Sequence, residues 1–126
     1  MVEQVRAYLI ASRPGAHPYG DGFVQINQTE LLRLAKENSL GMQAIRVFFA
    51  VLGTCEYGNR VVADAKHLSR LLEMQESAVY RALADLKKAG LIKAHPTMRR
   101  DLEINKTVAW KGSVKALKEA LKKEAA

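Results

Sequence analysis

Two short amphipathic segments in close succession constrain the fold of this 126-residue chain more than any other feature. The first is predicted to begin after Asp64, because an aspartate side chain accepts hydrogen bonds from the free N–H groups of a helix N-terminus. Its inward-facing residues are predicted to be Leu68, Leu71 and Leu72. A turn over residues 73–75 leads to a second helix over residues 76–89, and Met74 is expected to fill the elbow between them. This spacing predicts a helix-turn-helix unit.

The residues after the second helix predict a small antiparallel hairpin. Gly90 stands where a glycine commonly follows a helix, and residues 91–95 are predicted to form a strand. Residues 96–101 then predict a loop with two adjacent arginines, and residues 102–105 alternate apolar and polar as a returning strand. A helix-turn-helix followed by a hairpin predicts a winged helix-turn-helix fold, which is mainly α with a small β-wing.

The segments before this unit are predicted to complete its core. A strand over residues 23–26 precedes a helix that Asn27 caps, with Glu30 reaching back in a capping-box arrangement. The inward stripe of that helix is predicted to be Leu31, Leu34 and Ala35. A longer helix over residues 42–56 is predicted to be the most buried, because apolar residues cover most of its circumference. Ile45, Phe48, Leu52 and Cys55 are predicted to share one face of this helix, which Val47 and Val51 widen. A strand over residues 60–63 follows.

Glycine and proline positions divide the chain into three parts. Residues 1–22 form an N-terminal extension and loop, residues 23–112 the winged helix-turn-helix domain, and residues 113–126 a basic C-terminal helix. The loop itself is predicted over residues 13–22, where prolines and glycines cluster. The segment Val2–Ser12 is compatible with a strand or with a short helix. Ser113 is predicted to cap the last helix, whose apolar stripe is Val114, Leu117 and Leu121.

Positive charge is concentrated in the last third of the chain. Residues 1–80 contain 8 Lys/Arg and 8 Asp/Glu, whereas residues 81–126 contain 12 Lys/Arg and 5 Asp/Glu, so the whole net charge of +7 lies there. A one-sided positive field attracts polyanions and accelerates their capture. The distribution indicates a nucleic-acid-binding surface, and the alternative interpretation is that the excess charge serves solubility.

The second helix of the helix-turn-helix unit carries the candidate recognition surface. Its predicted outer face combines hydrogen-bonding, small and cationic residues, which suits close approach to DNA, base readout and phosphate neutralisation. The N-terminal end of such a helix usually enters the major groove. The candidate recognition-helix residues are Gln75, Glu76, Ser77, Tyr80, Arg81, Ala84 and Lys88. The alternative interpretation is an ordinary solvated helix face.

The predicted hairpin adds a second group of candidate DNA contacts. Arg99 and Arg100 lie in its loop, from which arginine side chains reach narrow minor grooves. Lys93 and His95 on the leading strand are expected to support the same positive field. Lys66, early in the first helix of the helix-turn-helix unit, is expected to contact the DNA backbone. A solvated turn is the alternative interpretation of the loop.

Other classes of chemistry find little support in the sequence. His17, His67 and His95 are scattered and Cys55 is the single cysteine, so we expect no metal site, no cofactor and no internal disulfide. Cys55 lies on an apolar stripe and is predicted to be a buried core thiol. No glycine-rich phosphate loop is present, so we expect no enzymatic activity. The chain has no run of 18 apolar residues and no secretory signal pattern, so we expect no membrane association.

The sequence resembles the RepL family of plasmid replication proteins, which are winged-helix proteins, from about Leu40 to Ser113. The matching blocks are Leu40–Phe48, His67–Ser69, Ala78–Leu86, Gly90–Ile92, the pair Ile104-Asn105 and Trp110–Ser113. A proline tends to follow the Ile-Asn pair in the family, whereas this chain has Lys106, so the turn there is expected to differ. The resemblance implies a plasmid or mobile-element setting, a cytoplasmic bacterial location and a role in replication. Trp110 is expected to be a hydrophobic anchor between the wing and the last helix.

These observations predict a sequence-specific double-stranded DNA-binding protein. It is expected to act in plasmid replication initiation or control, or as a transcriptional regulator. A homodimer is expected, because one recognition helix reads too few base pairs to find a site in a genome. Host replication proteins are further expected partners. The dimer contact is predicted in the segment Val2–Ser12 or in the last helix, whose stripe alternatively covers the domain's own core. The alternative function is a winged-helix module that binds proteins without reading DNA.

Overall fold

The computed structural model describes residues 19–20, 22–37, 40–97 and 101–125, which are mainly helical with a small antiparallel sheet. This confirms the coarse architecture predicted from the sequence. The helices are α1 (Gln28–Lys36), α2 (Met42–Thr54), α3 (Ala65–Leu72), α4 (Glu76–Lys88) and α5 (Val114–Ala125). The strands are β1 (Gln25–Ile26), β2 (Arg60–Val61), β3 (Ile92–Ala94), β4 (Leu102–Ile104) and β5 (Ala109–Trp110).

Helices α2, α3 and α4 enclose the hydrophobic core together with one face of the sheet. The most buried large side chains are Val47, Val51, Val61, Leu68, Val79, Leu86, Leu91, Ile92, Ile104 and Val108. The prediction that α2 is the most buried helix is not confirmed, because α2 and α4 each bury five residues, and the buried face of α2 is shifted toward Ala44, Val47 and Val51. Ile45 is consequently exposed, and α2 ends at Thr54 because Cys55 is already extended. Cys55 is buried as predicted.

The turn between α3 and α4 has the geometry of the predicted elbow. Glu73 adopts a left-handed conformation with φ of 53°, and the buried Met74 donates its backbone N–H to the carbonyl of Ser69 at 3.0 Å. Asp64 caps α3 as predicted, because its Oδ1 accepts the N–H of His67 at 2.8 Å. The prediction that Leu71 faces inward is wrong, since it lies on the outer side of α3 with 52% of its surface exposed.

The three-stranded sheet has the order β2-β4-β3, with antiparallel pairing throughout. The strands are shorter than predicted. Strand β1 lies outside this sheet and pairs with β5 in a separate two-stranded ladder. Asn59 joins the two ladders, because its buried amide donates to the carbonyls of Ile104 at 2.9 Å and Ala109 at 2.7 Å. Its Oδ1 also accepts the N–H of Lys111 at 2.9 Å. The position requires a left-handed backbone, with φ of 67°, which asparagine tolerates.

Helix α1 lies on the domain with its apolar stripe turned outward. Leu31 and Leu32 are 50% and 63% exposed, and no residue of α1 is buried, so the predicted inward stripe is wrong apart from the half-buried Leu34. Asn27 caps α1 by accepting the N–H groups of Thr29 and Glu30. Its own N–H donates to Val108 at 2.8 Å, so the reciprocal half of the predicted capping box is wrong.

Helix α5 begins at the predicted cap, where Ser113 Oγ accepts the N–H of Ala116 at 3.1 Å. Trp110 is buried, and its indole N–H donates to the carbonyl of Ser113 at 3.0 Å, so it contacts the start of the last helix as expected. It lies in the β1–β5 ladder, however, and not in the β3–β4 hairpin predicted as the wing. Gly112 is required beside it, since φ is 150° and a Cβ would lie 2.9 Å from the indole nitrogen.

The predicted segment Val2–Ser12 and most of the loop over residues 13–22 lie outside the described residues. In the described ranges, no helix combines the length and apolar character needed to cross a membrane.

Candidate nucleic-acid interface

Helix α4 has one buried and one exposed face, and the exposed face holds every candidate recognition residue. The buried side chains that fix its orientation are Ala78, Val79, Ala82, Leu83 and Leu86. The exposed residues on or beside the opposite side are Gln75, Glu76, Ser77, Tyr80, Arg81, Ala84 and Lys88. Because residues three or four apart share a helix face, Ser77, Arg81, Ala84 and Lys88 form one continuous outward stripe. We call this stripe, with Tyr80 beside it, the α4 outer face.

The polar groups of the α4 outer face make no bond to the rest of the described chain. The side chains of Ser77, Tyr80, Arg81 and Lys88 make no hydrogen bond or ion pair within the described ranges. Arg81 lies at a groove of about 280 Å³ beside the N-terminus of α2, which Asp85 also lines. The arginine and lysine are therefore available to an external anion.

The elbow and the core orient this face rigidly. Gln75 stands at the N-cap of α4 without a side-chain capping bond, directly after the buried Met74. Arg46 on α2 donates a hydrogen bond to the carbonyl of Leu72 at 2.9 Å, which fixes the end of α3 against α2. Lys66 is exposed near the N-terminus of α3, without a bonding partner in the described ranges. Lys66 thus lies on α3, the helix that a tight turn joins to α4.

The wing strands differ from α4 because their cations are paired. Lys93 Nζ lies 2.9 Å from Glu124 Oε1 of α5 and 3.7 Å from Glu103 Oε1 of the neighbouring strand. His95 Nε2 lies 4.0 Å from Glu103 Oε2, and His95 Nδ1 accepts the N–H of Thr97 at 3.2 Å. The two strand residues predicted to contact DNA therefore already have acidic neighbours. Arg99 and Arg100 lie outside the described residues.

Lys106 links these acidic groups. Its Nζ lies 2.6 Å from Glu103 Oε1 and 2.7 Å from Glu124 Oε1. We call the set Lys93, His95, Glu103, Lys106 and Glu124 the wing ion network. Burial lowers the pKa of Lys106, but the hydrogen bonds to Glu103 and Glu124 outweigh it and raise the pKa above its ordinary value. The hydrogen bonds from Lys106 and then Lys93 lower the pKa of Glu124.

The sequence did not reveal this network. An alternating strand predicts that Glu103 points away from the core, and it does face away from Ile104, but it is only 3% exposed because the wing ion network covers it. The sequence signal that points to it is an acid between the apolar residues Leu102 and Ile104, in the most basic part of the chain. The contact between Lys106 and Glu124 spans 18 positions of sequence and follows only from where α5 lies.

The described residues contain no group of three or more His, Cys, Asp and Glu side chains that is placed to hold a metal ion. Comparisons with protein-family models, curated proteins and solved structures find no match to this chain. The chain's own residues and geometry therefore carry any assignment of function.

Proposed function

We propose that this chain is a winged helix-turn-helix protein that binds double-stranded DNA in a sequence-specific manner, with α4 in the major groove. The observation that carries the proposal is the α4 outer face. It presents Ser77, Arg81 and Lys88, none of them bonded within the described chain, around the small residue Ala84. Arginine hydrogen-bonds bidentately to guanine, lysine neutralises phosphate, and alanine allows a helix to approach the groove floor closely.

The order of elements supports the same proposal. Helices α2, α3 and α4 precede the β3–β4 hairpin, and β2 completes the sheet on the far side of β4. In winged helix-turn-helix proteins the last core helix enters the major groove while the hairpin lies beside it. The hairpin loop here carries Arg99 and Arg100, for which we propose a minor-groove contact at A·T-rich flanks. Lys66 on α3 is proposed to contact the backbone.

The biological setting proposed for this activity rests on the resemblance to plasmid replication proteins. We propose that the chain acts on plasmid or mobile-element DNA, in replication initiation or control or as a transcriptional regulator. Both roles need a specific duplex site, and the contacts on α4 serve either.

Selection of bound sequences from a random duplex library tests the proposal. The full chain is expected to enrich one short motif, and Arg81→Ala is expected to relax the preference at one base position within it. Glu119→Gln, a substitution on α5 far along the chain from α4, serves as the control and should enrich the wild-type motif. Absence of any enriched motif would contradict sequence-specific binding.

Exposed apolar residues favour a protein contact as well, which we propose is the homodimer. Leu31 and Leu32 on α1 are exposed, as are Met42 and Phe49 on α2. On α5, Leu117 is half-buried against the domain, so its stripe serves the chain's own packing in part. Sedimentation of the full chain at tens of micromolar should show a dimer.

A protein-interaction module without DNA readout is the second candidate, and a dimer that binds no duplex at low salt would favour it.

A further inference from the structure

We propose that Lys93 and Lys106 form a phosphate-binding position at the wing, which Glu124 of α5 occupies in the free protein and a DNA backbone phosphate occupies in the complex. The inference rests on the proposed function and adds Lys106 to the interface. It also gives α5 a part in binding, because the helix must yield its carboxylate to the DNA.

The convergence of two ammonium groups on one oxygen carries the proposal. Lys93 Nζ and Lys106 Nζ lie 2.9 and 2.7 Å from the same atom, Glu124 Oε1. Both separations are typical of charge-assisted hydrogen bonds, which lysine forms equally with carboxylate and phosphate oxygens. Glu103 Oε1 also lies near both lysines, but at 3.7 Å from Lys93 Nζ, so among the described residues Glu124 Oε1 alone lies within hydrogen-bond distance of two lysines.

The carboxylates of Glu103 and Glu124 differ in how easily they can be displaced from the lysines. Glu103 lies on a central strand and its side chain is 3% exposed, so its carboxylate stays with Lys106. Glu124 lies in the last turn of α5, and its side chain is 37% exposed. Replacing the Glu124 carboxylate by a singly charged phosphodiester leaves the net charge around the two lysines unchanged. The exchange therefore avoids an uncompensated charge at the partly buried Lys106.

Helix α5 is attached weakly enough for this exchange. None of its residues is buried, and Leu117 and Leu121 line an open groove of about 380 Å³ beside Trp110. Moving the last turn of α5 therefore exposes little apolar surface. Duplex DNA presents one phosphate per roughly 1.7 Å of its axis, a charge density that a single carboxylate does not match.

The position of Lys93 suits a backbone contact next to α4. Strand β3 follows α4 after the left-handed Gly90, so Lys93 lies five positions beyond Lys88 of the α4 outer face. It lies on the edge strand of the sheet, on the face opposite the buried Ile92. A phosphate at this point would extend the proposed major-groove contact toward the wing loop.

A pair of matched substitutions on α5 tests the proposal. Glu124→Gln removes the internal occupant, whereas Glu119→Gln makes the same charge change at an exposed residue without a partner in the described ranges. On a short duplex of random sequence, Glu124→Gln should tighten binding about threefold to fivefold, the range expected for removing a partly exposed ion pair. Glu119→Gln should change binding less than about twofold, because only a screened long-range effect remains. In a Lys93→Gln background the extra gain from Glu124→Gln should largely disappear.

Equal effects of Glu124→Gln and Glu119→Gln would overturn the proposal while leaving DNA binding intact. If the wild-type chain binds no duplex, the proposed function fails, and the anion position is then read with inorganic triphosphate. Trp110 is the chain's only tryptophan and lines the α5 groove, so its fluorescence reports displacement of α5. Triphosphate should change the Trp110 emission of the wild type but not of Lys93→Gln. An unchanged wild-type emission would overturn the anion position.

Discussion

The α4 outer face and the wing ion network both contain cationic side chains, but only those of the network are paired with carboxylates. Arg81 and Lys88 on α4 have no partner in the described chain, whereas Lys93 and Lys106 each contact two carboxylates. A net charge of +7 in the last third of the chain therefore overstates the freely available positive surface. The cations of the α4 outer face are available to bind an anion, whereas those of the wing ion network also stabilise the fold. Substitutions in the two groups are therefore expected to have different effects on stability and on DNA binding.

The largest effect is expected in the network, on stability. Glu103→Gln removes the carboxylate that contacts Lys106, whose side chain is only 11% exposed, and leaves the lysine with the single acid Glu124. Breaking a buried ion pair from one side lowers the free energy of unfolding by about 3 kcal/mol. Denaturant unfolding measures the change. The matched substitution Lys88→Gln on α4 should stay within about 0.5 kcal/mol of the wild type. A loss below that threshold for Glu103→Gln would remove the structural distinction between the two regions.

The next effect is expected on α4, in base discrimination. Arg81→Ala should lose about 1–3 kcal/mol of preference for the selected site over random duplex, because a bidentate base contact is removed. Lys88→Ala should weaken both duplexes alike, because a phosphate contact carries no sequence information. Competition between the two duplexes measures both variants. Equal weakening of both duplexes by Arg81→Ala would reduce the arginine to a backbone contact.

The smallest effect is expected at acidic pH, where protonation of Glu124 weakens the docking of α5. Hydrogen bonds from Lys106 and Lys93 hold the pKa of Glu124 below the ordinary glutamate value. A carboxylate with a lowered folded-state pKa stabilises the docked helix above its unfolded-state pKa, and this stabilisation is lost as the pH falls through the folded-state value. Trp110 fluorescence should therefore change with a midpoint below that of an ordinary glutamate. Glu119→Gln should keep this transition and Glu124→Gln should lose it; a transition retained in Glu124→Gln would assign it to another acid, such as Glu103.

The sequence predicted local features well where one element determines them. The caps at Asn27, Asp64 and Ser113 follow from short side chains ahead of a helix, and the turn at Glu73 and Met74 follows from its spacing. The exposed face of α4 follows from helical periodicity. In each case the interacting groups lie within a few residues of one another, so no tertiary information is needed.

The sequence failed where a distant element decides the environment. Leu31 and Leu71 have the spacing of core residues, yet no element covers them in the described chain. Glu103 has the spacing of a solvent-facing residue, yet Lys106 and its neighbours bury it. Periodicity specifies which residues share a face, but it does not specify what packs against that face. The same limit explains why the ion pair between Lys106 and Glu124 could not be predicted from the sequence.

The central claim, that the cations of the α4 outer face bind DNA phosphates and bases, is tested most directly by the salt dependence of duplex binding. Contact with about six phosphates gives a slope near −5 for log K against log salt concentration. Lys88→Ala should reduce the slope to about −4, because one lost phosphate contact contributes about 0.9, whereas Arg81→Ala removes a base contact and should leave the slope near −5. A flat wild-type response, or a Lys88→Ala variant with the wild-type slope, would contradict the claim.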